Sequence, residues 1–444
     1  MLDSPEIDED RLAVLLRATK ARSLALGRRQ RRWRSLAGTV AIAGVLAIAG
    51  TLVARPGPAP QHSSNTSHHQ TAAPKWRLVG DVQDGTWHAS TLSGTGQHYG
   101  LTCPTAKTCY VVEVDIADGS TSEPATAIAV THDGGSTWQQ SILPDGAFAT
   151  GGLDCLDANT CITGGEENGD FAFFSTVDGG NTWTSFPGPS GVPASLVIVA
   201  LSCTSLQSCV AIGQDSTVSG DAGATYYTML TTDGGANWTD GQLASGFVPS
   251  VVQCFPALNC AIVGFEQPTD PATPSIAGEA MYSTDGGATW SAASVPSGSG
   301  PIEGLSCADS SDCSAVTDDV SVPGSQVLVT SDGGATWTVA GDSGLPQALL
   351  PGISCATSST CLVGGLSLPA SQQASKPIDI ATAEGVLAVT SDGGESWQLS
   401  QVPGGLGHDL VTSVSCPSVG SCFALAWQEV PSQPASFVLF SYGS

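Results

Sequence analysis

Carboxylates are the first residues to weigh for chemistry. The chain has 444 residues, with 40 Asp or Glu against 14 Lys or Arg, for a formal net charge of −26. Many acids sit in irregular Gly-, Pro- and Ser-rich stretches: Asp115, Asp118, Glu166, Glu167, Asp170, Asp215, Asp221, Glu266, Asp270, Asp318, Asp319 and Glu429. Two carboxylates about 5–9.5 Å apart on an open surface suffice for glycoside hydrolysis. No spacing here singles out such a pair, so no catalytic residue is assigned. Serine-type catalysis has no support, since His88, His98, His132 and His408 follow no nucleophile pattern. His68-His69 could catch a metal ion only adventitiously. No cofactor and no dedicated metal site are expected.

Fourteen cysteines form a second set: Cys103/Cys109, Cys155/Cys161, Cys203/Cys209, Cys254/Cys260, Cys307/Cys313, Cys355/Cys361 and Cys416/Cys422. All seven pairs share the spacing Cys-x5-Cys. Across a hairpin this spacing sets two cysteines opposite each other at the strand ends, within disulfide reach. A repeat favours the local pairing because every unit must satisfy itself, so seven local bridges are expected. Zinc is the weaker rival, because the spacing is not Cys-x2-Cys and no histidine repeats with it. The choice depends on the compartment.

Residues 35–54 run 20 residues without a charge. A helix of that length spans roughly 30 Å, about one hydrocarbon core. Arg28, Arg29, Arg31, Arg32 and Arg34 precede it, whereas only Arg55 follows before a polar stretch. That asymmetry predicts a single-pass anchor, with residues 1–34 cytoplasmic and the long C-terminal part outside the membrane. A cleaved signal peptide is the alternative, but its usual n- and h-regions are shorter. Residues 1–34 read as a basic, helical lead-in, with Ser4 able to cap and Pro5 suited to the first turn. Residues 55–75 are a Pro/Ser/Thr-rich linker. From residue 55 onward only Arg55, Lys75, Arg77, Lys107 and Lys376 are basic, against 35 acids, which makes nucleic acid a poor partner class.

What must position these groups is a repeat. The motif T-x-D-G-G-x-T-W recurs, with small variations, at 131–138, 176–183, 231–238, 283–290, 330–337 and 390–397, carrying Asp133, Asp178, Asp233, Asp285, Asp332 and Asp392. It alternates with the cysteine pairs. Each unit reads as strand A, the Cys-x5-Cys turn, strand B, a variable loop, strand C, the DGG turn, and strand D beginning at Trp. Four antiparallel strands in about 50 residues make one propeller blade. The expected fold class is all-β, with residues 76–444 forming a seven-bladed β-propeller of four-stranded antiparallel blades. The last unit lacks a DGG turn and strand D. The segment 83–90, with Asp84-Gly85-Thr86-Trp87, is the expected closing strand, which leaves Trp76 and Trp427 outside the strand-D pattern.

These motifs resemble the Asp-box, or BNR, repeat family, which includes sialidases, xyloglucan-type glycosidases, sortilin-like receptors and photosystem II assembly-factor propellers. The resemblance implies that the Asp box is structural and distant from any active site; calcium or ligand binding by the six aspartates is the alternative. Sialidase chemistry in the family needs three arginines, and this propeller has one, Arg77. The A–B and C–D turns should share one face of the disc, decorated by the disulfides and Asp boxes. The irregular B–C and D–A loops should form the other, where recognition usually sits. The resulting expectation is a monomeric binding or assembly module outside the membrane, contacting a protein or glycan. The alternative is a glycoside hydrolase using two loop-face acids.

Overall fold

The structure, a computed structural model, describes residues 76–81, 97–114, 126–193, 196–215, 225–255, 259–266, 276–317, 325–341, 344–346, 348–367, 384–400, 410–428 and 436–442. The basic segment 1–34, the apolar run 35–54 and the linker 55–75 lie outside these residues. Among the described residues no helix is long and apolar enough to cross a membrane.

Among the described residues twenty-eight strands form seven four-stranded antiparallel sheets. Blade 1 is typical: strand A is Gln97–Thr102, B is Cys109–Val114, C is Thr126–Thr131 and D is Gln139–Ser141. Blade 3 runs Leu196–Cys203, Cys209–Asp215, Tyr226–Thr231 and Thr239–Gln242. Blade 4 runs Phe247–Cys254, Cys260–Glu266, Gly278–Ser283 and Ser291–Ala292. Each strand A touches the strand A of the neighbouring blades, so the A strands form the inner ring. Strands D carry exposed residues on the outer rim.

The core lies between the blades. The alternation of strand B sends residues one and three positions after its opening cysteine toward the next blade; the cysteine and the residue two positions on face the previous one. Thus Val210 and Ile212 of blade 3 pack with Cys260 and Ile262 of blade 4. Ala261 and Val263 of blade 4 pack with Cys313 and Ala315 of blade 5. The Asp-box tryptophans wedge into the same junctions: Trp183 of blade 2 meets Tyr110 and Val112 of blade 1, and Trp397 of blade 6 meets Val316 and Val327 of blade 5. Large rigid side chains here bury much apolar area per residue ordered.

Seven local disulfides are present: Cys103–Cys109, Cys155–Cys161, Cys203–Cys209, Cys254–Cys260, Cys307–Cys313, Cys355–Cys361 and Cys416–Cys422. Within each bridge the two cysteines face one another at the mouth of the A–B hairpin, as Cys203 and Cys209 do in register. The turns lie on a face of the disc, but the bridges do not decorate it as expected. They sit beneath it. Cys161 is fully buried in the cluster of Tyr110 and Val112 from blade 1, and Cys361 is buried in that of Val316 and Val327 from blade 5. The physical reason is the pleat: the cysteine that opens strand B is also the first inward residue of that strand, so its sulfur joins the inter-blade core.

The Asp box closes the neighbouring C–D hairpin. In blade 3 the buried hydroxyl of Thr231 accepts from Gly235 N at 2.8 Å and donates to Asp233 Oδ1 at 3.0 Å. Asp233 in turn accepts from Asn237 N at 2.9 Å and Asn237 Nδ2 at 2.7 Å. Gly234 and Gly235 have φ of 76° and 87°, which a residue with a Cβ adopts only under strain. Gly234 N then donates to Gln207 O, inside the disulfide hairpin, at 3.0 Å. The same bond links Gly134 to Lys107, Gly179 to Asn159, Gly333 to Ser311 and Gly393 to Ser359. Disulfide turns and Asp boxes therefore form one hydrogen-bonded face.

Thr231→Val keeps the shape but leaves the Gly235 and Asp233 amides without their acceptor. A loss of about 1–3 kcal/mol is expected, read from chemical denaturation of the oxidised protein.

Ring closure differs from the expectation. Blade 7 takes strand A from Leu410–Ser418, B from Ser421–Gln428 and C from Ser436–Tyr442, and its strand D is Trp76–Asp81. The Trp87 segment is not that strand; residues 82–96 lie outside the described residues. The register gives the reason. Cys422 pairs with Tyr442 as Cys109 pairs with Thr131, so Tyr442 takes the place of the first Asp-box residue. Trp76 pairs with Tyr442, which puts it at the register position of the Asp-box tryptophans. Trp76 is therefore no exception to the strand-D pattern. Strand D arrives here without a connecting turn, so no DGG is needed beside it.

Candidate functional site

The Asp-box aspartates spend their oxygens inside their own turns. Asp285 Oδ1 accepts from Ser283 Oγ at 2.7 Å and Thr289 N at 2.9 Å, while Oδ2 accepts from Thr289 Oγ1 at 2.6 Å. Thr289's side-chain and backbone donors hold the Asp285 carboxyl at about 2, and Ser396 does the same for Asp392. Among the described residues no three His, Cys, Asp or Glu side chains converge as metal ligands.

At six of the seven junctions around the inner ring, the residue before the first cysteine of a blade accepts a hydrogen bond from the equivalent cysteine amide of the next, while Thr102 of blade 1 instead donates its hydroxyl to Leu153 O at 3.3 Å. Cys254 N reaches Ser202 Oγ at 3.0 Å, Cys307 N reaches Gln253 Oε1 at 2.9 Å, Cys355 N reaches Ser306 Oγ at 2.8 Å and Cys416 N reaches Ser354 Oγ at 2.9 Å. Cys103 N to Ser415 Oγ, at 3.0 Å, carries the girdle across the closing junction. Blade 2 alone uses an acid, Asp154, whose Oδ2 accepts from Cys203 N at 2.6 Å. Desolvation pushes its carboxyl above the ordinary range, against the lowering effect of the Cys203 and Cys155 amides.

On the opposite face lie the ends of strands B and C that the B–C connections join. Asp115, Asp118, Asp221, Asp270, Asp318, Asp319 and Glu429 fall outside the described residues. The structure does locate Glu166, Glu167 and Asp170 at the end of blade 2, where Glu167 pairs with Asp170 across a two-residue turn. Asn168 and Gly169 in that turn have φ of 53° and 92°, the geometry of a tight hairpin. Asp215 ends strand B of blade 3, its amide bonded to Thr225 O at 3.1 Å.

Blade 4 brings two glutamates together. Glu279 pairs with Gly264, and Glu266, two residues further along strand B, points to the same side of the sheet. Glu266 is exposed and Glu279 half-buried. Desolvation raises the Glu279 pKa, and the charge on Glu266 raises it further. Sequence reading finds Glu266 among the loop acids but misses Glu279, which stands in a strand rather than a loop. Facing them is Gln214 of blade 3. It follows Cys209 by five positions, on the side of strand B that packs against blade 4, at a level between those of Glu279 and Glu266. Gln214 is 1 % exposed, and its Oε1 has no hydrogen-bond partner.

An acid whose folded pKa is raised subtracts stability as pH climbs through that pKa. Glu279→Gln should therefore raise the melting temperature at pH 8, with little gain at pH 4. Calorimetry at the two pH values checks this.

Seven four-stranded blades, six of them closed by Thr/Ser-x-Asp-Gly-Gly turns, define an Asp-box-repeat β-propeller. The BNR/Asp-box repeat model matches residues 281–292, which span the Asp box of blade 4. No curated protein matches the sequence significantly. Among solved structures, YCF48 bound to D1 peptide is similar at 16% identity, over 85% of this chain and 100% of that one, with a TM-score of 0.50. A puromycin-hydrolyzing peptidase of Mycobacterium tuberculosis is similar at 13% identity and TM-score 0.50, over 83% of this chain and 54% of the peptidase, so this chain spans about half its length. A GH74 enzyme of Niastella koreensis aligns at 15% identity over 80% of this chain and 66% of that one, with a TM-score of 0.45. At such identities the likeness concerns the fold. Seven disulfides in one domain mark an oxidising, extracytoplasmic setting.

Proposed function

We propose that the propeller is a recognition or assembly module, tethered outside the membrane by the 35–54 helix and binding a protein through its B–C/D–A loop face. The observation that carries this is the division of labour between faces. Every disulfide encloses five residues, and the hairpin it closes is bonded to the Asp box of its blade wherever both turns are described. The B–C connections run from two residues in blade 2 (168–169) to sixteen in blade 6 (368–383). A constant face suits a scaffold, and a variable one suits selective contact. The peptide bound to YCF48 supports a peptide-binding role for a propeller of this shape.

The test is photocrosslinking of the full-length chain in its membrane. Photoreactive residues at Asn168 and Ala277 probe the loop face, and residues at Ser136 and Asn181 probe the Asp-box face. Protein adducts from the first pair alone are expected; adducts only from the second pair would sink the reading.

A second reading is a glycoside hydrolase, favoured by the Glu266/Glu279 pair. A desolvated carboxyl beside a second, exposed one is the kind of pair that acid/base glycosidases use. Reducing-sugar release from a polysaccharide panel, abolished by Glu279→Gln, would establish it.

A further inference from the structure

At the loop-face end of the junction between blades 3 and 4, three acceptor groups lie on facing strands. Glu279 is half-buried, with its carboxyl raised by desolvation and by Glu266. Strand alternation sends both glutamates toward blade 3. From blade 3, Gln214 is directed back toward them by the same alternation, buried and with its carbonyl oxygen unbonded. An orphaned buried amide oxygen destabilises the fold unless something donates to it. Two like charges, one partly desolvated, add to the cost. Among the described residues the basic ones are Arg77, on strand D of blade 7, and Lys107, in the A–B turn of blade 1, and neither belongs to blade 3 or blade 4.

We propose that this junction is the anchor pocket for a basic side chain, Arg or Lys, presented by the protein partner. The inference rests on the loop-face recognition reading and names its chemistry. A guanidinium or ammonium is a donor-only group. It can bond both carboxylates and the Gln214 carbonyl at once, with no acceptor of its own left over. The surplus of acids over the rest of the propeller steers such a group inward. The site is also built rather than merely acidic. Gly264 stands opposite Glu279, and a Cβ there would meet Val248 O at 2.0 Å, so strand A lies hard against this stretch of the blade. Glu279, on the far side of strand B, is half-buried rather than fully exposed.

The test uses the full-length chain in its membrane, with the photocrosslinker at Asn168, away from the pocket. The double variant Glu266→Gln/Glu279→Gln is compared with Asp145→Asn/Glu384→Gln, which removes two exposed loop-face charges elsewhere. The expected result is a fall of about tenfold or more in adduct yield for the first variant and less than about twofold for the second, matching one charge-assisted contact. Because the pocket variant relieves repulsion, it should fold at least as well as the parent. Mass spectrometry of an adduct formed from Ala277 should find Arg or Lys in the crosslinked peptide. Equal losses in the two variants would reduce the effect to net charge and overturn the proposal. An unchanged yield from the pocket variant would overturn the anchor while leaving loop-face recognition intact. No loop-face adduct in the parent would overturn both. Millimolar CaCl2 that raises the melting temperature of the parent but not of the variant would make this a metal site instead, and would also overturn the proposal.

Discussion

Deletion of residues 76–81 is expected to open the ring. Those six residues are the whole of strand D in blade 7, paired from Trp76↔Tyr442 to Asp81↔Val438. Without them strand C of that blade, which carries the buried Leu439 and Phe440, becomes a bare edge. A loss of at least about 3 kcal/mol is expected from exposed apolar area alone, together with a tendency to pair edge to edge between molecules. Deletion of 83–90 is the comparison. If melting and light scattering respond to that deletion and not to the first, the closing strand is the Trp87 segment after all.

Reduction of the seven disulfides should have the other large effect. Each closes a short loop, and the chain-entropy estimate gives about 2 kcal/mol apiece. Seven together rival the total stability of an ordinary domain, about 5–15 kcal/mol. The reduced chain is therefore expected to lose cooperative melting and near-ultraviolet dichroism at 37 °C, while the oxidised chain keeps both. Reduction that leaves the melting curve unmoved would mean the Asp boxes and Trp wedges suffice. A single pair exchanged for serine, such as Cys203→Ser/Cys209→Ser, should cost close to one seventh of the effect if the blades act independently.

Much of this molecule can be read in advance because its repeat carries the physics locally. The Asp box states its own turn: a hydroxyl, a carboxylate and two glycines at fixed offsets allow one hairpin geometry, as Thr231 to Asn237 illustrate. The cysteine spacing likewise fixes hairpin register without reference to the rest of the chain. It does not reveal burial, since the sulfurs of Cys161 and Cys361 are covered by side chains of the preceding blade. Closure is less legible. Strand D of blade 7 has no turn to announce it, so the Asp84-Gly85-Thr86-Trp87 stretch, which looks like an Asp box, draws attention from Trp76, which only register reveals. The bulges in the A strands are also hard to foresee. Pairing slips between His98 and Gly100, Ile198 and Ala200, Ile302 and Gly304, and Val411 and Ser413. A small residue three positions before the first cysteine (Gly100, Ala200, Gly304, Ser413) is the available sign. The candidate pocket is least visible, since Gln214, Glu266 and Glu279 come from two blades and three strands. Only the alternation of neighbouring sheets brings them face to face.

Closure by Trp76–Asp81 has a consequence for biogenesis. Protein synthesis runs from the N-terminus, so among the described strands the one that finishes the last blade is made first, and its partner Ser436–Tyr442 is made after all the others. Six blades can assemble in order as they emerge, each docking on its predecessor, while the earliest strand waits unpaired. A chain interrupted before residue 436 has nothing to offer that strand. Synthesis of Ser436–Tyr442 is thus the event that closes the ring, and a product cut short of it keeps two bare edges.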